Sequence, residues 1–241
     1  MTDWILPSAI ISVIVPLTAA YVVGSVPIGL LVVRLSTGKN ILNEHSGRTG
    51  GTNVMRTAGF WAGLVTATGD VLKGAGAVLL AQALAPGAPW VQAGAGILAV
   101  LGHNHSVFLI ERGQGRLRFR GGAGGATAVG CGIALSPTLA WVILVVPVLL
   151  FGIGYASLTT LCVGALMTLT LAAQANAGNV PWVYVGFGVG AEILMLLALR
   201  PNLERLRRWE ERLVGIRARA ARERTPSTSS SRPGKKVPRS G

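Results

Sequence analysis

Stretches of about 20 apolar residues, the length a helix needs to cross the hydrocarbon core of a bilayer, recur along this chain between short polar segments that hold most of its charge. Candidate spans fall at residues 7–33, 60–84, 90–110, 121–135, 138–154, 157–175 and 181–199. The first contains Pro16 and Gly24-Ser25-Val26-Pro27, which predicts a kink or break near its end. The segment 121–135 is short and glycine-rich and stops at the turn signal Ser136-Pro137, so it reads either as a span or as a re-entrant segment. Only 13% of the residues are charged, about half the share in a soluble domain. The 33 glycines suit helices that approach closely in lipid.

The formal net charge is +13. Its placement says more than its sum. Over half of the Lys and Arg residues lie beyond Leu199, and most others lie in 34–59 and 111–120. With seven spans these segments share one side, which the positive-inside rule makes cytoplasmic. The expected fold is therefore an all-α integral membrane protein of about seven transmembrane helices, N-terminus outside and C-terminus in the cytoplasm. The basic excess then needs no nucleic acid. Residues 1–212 form the expected membrane domain and 213–241 a basic, partly disordered cytoplasmic tail. The pattern over 202–224 allows an amphipathic helix on the membrane surface. Asp3 precedes the first apolar run, and no charged head or cleavage site marks a signal peptide, so that run reads as a retained helix. Cys131 and Cys162 read as small buried apolar residues without a disulfide, and no metal-ligand spacing is present.

Ionisable residues within spans are costly and point to function. Asp70 and Lys73 lie one helical turn apart and can pair on one face. That pair reads equally well as structural. Glu192 has no evident local partner. The loop from Glu44 to Arg56 gathers His45, Ser46, Arg48, Thr49, Thr52, Asn53 and Arg56 among glycines. It reads as a cradle for a phosphate-bearing ligand or as a hydrogen-bonded turn with positive-inside charges. Arg120-Gly121-Gly122-Ala123-Gly124-Gly125 lacks the Lys-Ser/Thr ending of a nucleotide P-loop. It reads as a helix start whose N–H groups face an anion, or as close helix packing. His103 and His105 are candidate bases, although a lone histidine is more often structural.

These residues resemble, in order, the motifs of the bacterial acyl-phosphate:glycerol-3-phosphate acyltransferases, the PlsY family. Gly24-Ser25-Val26-Pro27-Ile28-Gly29 is similar to its GSIPxG signature, and Ser46-Gly47 through Asn53 and Arg56 to SGNxGATNxxR. Asp70 to Gly74 matches DxxKG. Gly102-His103, Phe108 and Phe119-Arg120-Gly121-Gly122 follow GHxxPvFlxFKGGKG. Tyr155 with Ser157 resembles a later motif, and Asn202 through Arg205 with Glu211 resembles HRxNIxRLxxGxE. Arg48 stands where the family has Asn, Ala123 where it has Lys, Leu199 where it has His, and Trp209 where it has Gly. About eight extra residues, including Arg112, Arg116 and Arg118, precede Phe119.

The resemblance implies seven membrane helices and a site facing the cytoplasm of a bacterial cell membrane. It implies transfer of a fatty acyl group from acyl phosphate to glycerol 3-phosphate, giving lysophosphatidic acid, without cofactor, metal or acyl-CoA. In this reading Ser46, Asn53 and Arg56 hold the substrate phosphate, with Arg120 or Arg48 adding charge. His103 positions the hydroxyl or takes its proton, and Gly121, Gly122 and Gly124 present N–H groups to the acyl phosphate. Asp70, Lys73, Ser157, Asn202 and Glu211 support them, and the acyl chain enters from membrane lipid. The alternatives are an altered relative that binds a lipid phosphate without turnover, and a small transporter. Against the transporter, no inverted repeat is evident.

Overall fold

The computed structural model describes residues 5–113 and 116–214. Among them are nine α-helices and one two-stranded sheet: α1 (Ile5–Ser25), α2 (Ile28–Thr37), α3 (Gly51–Ala58), α4 (Phe60–Leu84), α5 (Pro89–Asn104), β1 (Ile110–Gly113), β2 (Arg116–Phe119), α6 (Gly125–Leu135), α7 (Val142–Ile153), α8 (Ala156–Asn176) and α9 (Val183–Arg207). Among the described residues, four helical segments are long and apolar enough to cross a membrane: Ile10–Thr37, Phe60–Leu84, Ala156–Asn176 and Val183–Arg207.

The break at the end of the first span falls at Val26-Pro27, between α1 and α2. Pro27 has no N–H to continue the ladder, and the carbonyls left over find side chains instead. Ser106 Oγ donates to the Ser25 carbonyl at 2.5 Å, and Lys73 Nζ donates to the Val26 carbonyl at 2.8 Å.

Small side chains set the packing. Ala20, Ala77, Ala81, Ala95 and Ala99 are fully buried at the centre, while Leu35, Trp61, Leu144 and Val148 are largely exposed. A soluble core would hide the large residues. A bundle in lipid instead gains from close backbone contact. Among the tightest cases is α4 on α6: a Cβ on Gly130 would lie 1.9 Å from the Val71 carbonyl oxygen. Gly130→Ala is therefore expected to force the two helices apart and cost about 3 kcal/mol, visible as a lower unfolding temperature in detergent.

The structure corrects several sequence expectations. Residues 34–59 are not one loop: α2 runs on to Thr37, a 3-10 turn covers Ile41–Asn43, and α3 is amphipathic. The span expected to reach residue 110 stops at Asn104. In place of the expected loop 111–120, β1 and β2 pair as an antiparallel hairpin, with Ile110 opposite Phe119 and Arg112 opposite Leu117, so the fold is mostly helical instead of all-α. The alternating Arg-Leu-Arg-Phe of β2 is the pattern of a half-buried strand. The span at 138–154 begins as a 3-10 turn, Pro137–Trp141, before α7. The last span continues to Arg207 through Pro201, so the expected surface helix at 202–224 begins as the end of α9, and residues 208–214 are not helical. Chain packing continues past residue 212, since Val214 is buried and its N–H donates to the Gly154 carbonyl. Cys162 is exposed, not buried, and Cys131 is buried with its thiol on the Gly74 carbonyl. Of the expected tail at 213–241, residues 215–241 lie outside the described residues.

Candidate active site

The chemistry-bearing residues meet at one end of the bundle. Their floor is a buried ionic cluster. Asp70 Oδ1 lies 2.8 Å from Lys73 Nζ and 3.5 Å from His103 Nδ1. All three side chains are at least nine-tenths buried. Lys73 thus ties α4 to the α1–α2 break while Asp70 reaches the end of α5.

Above this floor lies the strip 120–124. It is pinned to α5 and to the segment just after it by backbone bonds, Gly122 N–H to His103 O and Ser106 N–H to Arg120 O, both at 2.9 Å. A Cβ on Gly122 would lie 2.0 Å from His103 Nε2. The histidine is therefore covered by the strip, with Asp70 on its other side. The strip leads into α6, whose first N–H groups have no partner within the helix.

The loop 44–50 docks on the strip through Thr49 N–H to Gly121 O at 3.3 Å. Asn53 is buried, and its side chain is committed to that loop. Its Nδ2 donates to the Glu44 and Arg48 carbonyls at 3.1 and 2.8 Å, and its Oδ1 accepts from Ser46 N–H at 3.4 Å. The Asn53 amide thereby sets the loop's shape. Arg120 Nε pairs with Glu111 at 2.9 Å, and its Nη1 lies near Gly47.

Arg48 donates to the Ala198 carbonyl of α9, in the turn before Pro201 loosens the helical ladder. Arg56 donates to the Arg212 carbonyl at 3.0 Å. The chain beyond α9 turns back here, with Trp209 in the left-handed region at φ 60°. This return brings in Glu211, which accepts from Ser157 Oγ at 2.6 Å and from Asn202 Nδ2 at 3.2 Å. Burial, followed by Arg205, pushes the Arg48 guanidinium below its usual value, and Glu211 opposes this. Burial, then Arg212, does the same to Arg56, against Glu211 and together with Arg205. Arg48 and Arg56 thus both lie within electrostatic reach of Glu211 and of Arg205, and Arg56 also of Arg212. Such excess positive charge in a partly dry site is the electrostatic shape of an anion site.

The structure thus gathers Ser46, Arg48, Arg56, Arg120, Gly121, Gly122, Gly124, Ser157, Asn202 and Glu211 around this end. It places Asp70, Lys73 and His103 beneath them. The sequence reading did not assign a role to Arg205 or Arg212. Arg205 lies inside the end motif, which was the available signal. Arg212 is visible only through the chain's return.

Comparison with known proteins decides the family. A family model described as glycerol-3-phosphate acyltransferase matches residues 14–209. The chain belongs to this family. A glycerol-3-phosphate acyltransferase of Thermus thermophilus is 38% identical over 216 residues, covering 85% of this chain and 96% of the relative. Glycerol-3-phosphate acyltransferase 2 of Moorella thermoacetica is 36% identical over 203 residues, covering 84% and 97%. Among solved structures, PlsY, an integral membrane glycerol 3-phosphate acyltransferase, aligns in its glycerol 3-phosphate form with a TM-score of 0.73. Identity is 29%, over 87% of this chain and 98% of that one. Its lysophosphatidic acid form aligns with a TM-score of 0.68. The acyltransferase is accordingly a multi-pass membrane protein, and neither the transporter nor the altered-relative reading is favoured.

Proposed function

We propose that this acyltransferase moves a fatty acyl group from acyl phosphate to the 1-hydroxyl of glycerol 3-phosphate, yielding lysophosphatidic acid and inorganic phosphate. The hydroxyl oxygen bonds to the acyl carbon, the acyl–phosphate bond breaks, and the released phosphate takes up the hydroxyl proton. The observation that carries this reading is the pair of partly buried guanidiniums, Arg48 and Arg56, that share Arg205 and Glu211 as electrostatic neighbours at the same end as the glycine strip. Both substrates bring phosphate, and arginine forks match phosphate oxygens. Arg56 and Ser46 hold the phosphate of glycerol 3-phosphate, with Arg48, Arg205 and Arg212 adding charge. The strip 121–124 and the start of α6 present N–H groups to the acyl phosphate and its developing oxyanion. Asn53 and the Ser157–Glu211–Asn202 contacts position these groups. Buried His103 supports the strip from below instead of meeting the hydroxyl.

The bundle then has seven crossings: α1, α4, α5, α6, α7 with its preceding 3-10 turn, α8 and α9. Arginine-rich segments at the site's end put that end in the cytoplasm of a bacterial cell and the N-terminus outside. The described residues, 5–113 and 116–214, belong to the membrane domain. The acyl chain reaches the site laterally from lipid, between helices of small side chains.

Titration of the purified protein with glycerol 3-phosphate and with glycerol tests the anion site. Glycerol 3-phosphate is expected to bind and to be displaced by inorganic phosphate. Equal binding of uncharged glycerol would contradict the reading. Arg48 occupies the position of a family Asn, while Ala123 replaces a family Lys. Arg48→Asn is expected to lower kcat/KM about 100-fold, and adding Ala123→Lys to recover at least a tenth of the lost activity. No recovery would make Arg48 a tie between loop and α9 alone.

A further inference from the structure

The β-hairpin is the part of this end that the acyltransferase reading leaves unused. It corresponds to the extra residues inserted before Phe119. In an antiparallel pair, residues directly opposite share a face. Ile110, Arg112, Leu117 and Phe119 therefore lie on one face, and Glu111 and Arg118 on the other. The first face is not covered by the rest of the molecule. Leu117 is 58% exposed and Ile110 and Phe119 are each 43% exposed, with Phe108 at 55% just before β1. Arg112 is also exposed on that face. An apolar surface with a cation at its margin, emerging between the apolar helices α5 and α6, has the composition of an interfacial membrane element. The aliphatic stem of such an arginine lies along apolar surface while its head reaches lipid phosphates.

We infer that the hairpin seats this face, Ile110, Leu117 and Phe119 with Arg112, in the cytoplasmic leaflet, and that its partner is anionic phospholipid. The inference rests on the cytoplasmic placement proposed above. Charge complementarity selects the lipid: Arg112 and Arg118 are both exposed, and the only acidic residue of the described strands, Glu111, is already paired to Arg120. The hairpin is joined to the active end by short bonds. Arg120 N–H donates to the Leu109 carbonyl at 2.9 Å, and Arg120 begins the glycine strip. Lipid that holds the hairpin therefore also steadies the strip against which acyl phosphate would lie, so anionic lipid raises turnover.

The test uses the full chain in nanodiscs of phosphatidylglycerol or phosphatidylcholine, with hydrogen–deuterium exchange across 105–120 and acyl transfer read in parallel. In phosphatidylglycerol, exchange of the hairpin amides is expected to slow several-fold relative to phosphatidylcholine. Arg112→Ser is expected to remove roughly fivefold of that difference. Leu117→Ser with Arg112→Ser is expected to abolish it, leaving turnover in phosphatidylcholine unchanged. Equal hairpin exchange in the two lipids would overturn the inference. So would lipid-dependent exchange that survives the double substitution. The exchange readout needs no turnover, so an inactive protein would contradict the proposed reaction without touching the hairpin result.

Discussion

Replacing Arg56 with alanine is expected to reduce kcat/KM for glycerol 3-phosphate by about two to three orders of magnitude, the loss typical of removing a preorganised donor from a developing anion. The guanidinium sits in α3 and donates one hydrogen bond, to the Arg212 carbonyl on the exposed side of the site. Removing it leaves that carbonyl accessible to water, so the fold is expected to tolerate the change. The loss should be larger than that of Arg120→Ala, because Arg120 is already paired with Glu111 and both side chains are over 40% exposed. Steady-state kinetics alongside thermal unfolding separates the effects. Near-native kcat/KM in folded Arg56→Ala protein would remove Arg56 from the phosphate site.

The largest stability effect is expected at Lys73. Its ammonium neutralises Asp70 at 2.8 Å and caps the Val26 carbonyl at the α1–α2 break. Lys73→Met removes both contacts and leaves a buried carboxylate beside His103. Breaking one side of a buried pair costs about 3–5 kcal/mol, most of it from the stranded charge. Adding Asp70→Asn should recover much of that loss, because the second substitution removes the stranded charge. A single variant as heat-stable as the parent would show that the pair does not hold the break. A double variant less stable than either single one would show that the carboxylate itself is needed.

The long spans were legible because hydropathy and length decide them. The expected 60–84 coincides with Phe60–Leu84, and 157–175 lies within Ala156–Asn176. The break at Pro27 was legible because proline acts locally. The hairpin was not. Its strands have four residues each, and their arginines fit a positive-inside loop equally well. The same ambiguity hid Arg205 and Arg212. An arginine at a membrane boundary serves topology and ligand binding alike, and composition does not separate the two. The sequence shows that His103 is a histidine near a helix end, but its depth beneath Gly122 depends on how a glycine strip folds over it. Ser157 and Glu211, 54 positions apart, meet only because the chain reverses at Trp209. Family resemblance marked both residues, but their spacing could not.

The most direct test of the account is acyl transfer by the purified protein in lipid, with labelled glycerol 3-phosphate and either palmitoyl phosphate or palmitoyl-CoA as donor. Labelled lysophosphatidate and an equal amount of inorganic phosphate are expected from palmitoyl phosphate, with none from palmitoyl-CoA. Product from palmitoyl-CoA alone, or no product from either donor by folded protein that binds glycerol 3-phosphate, would contradict the account.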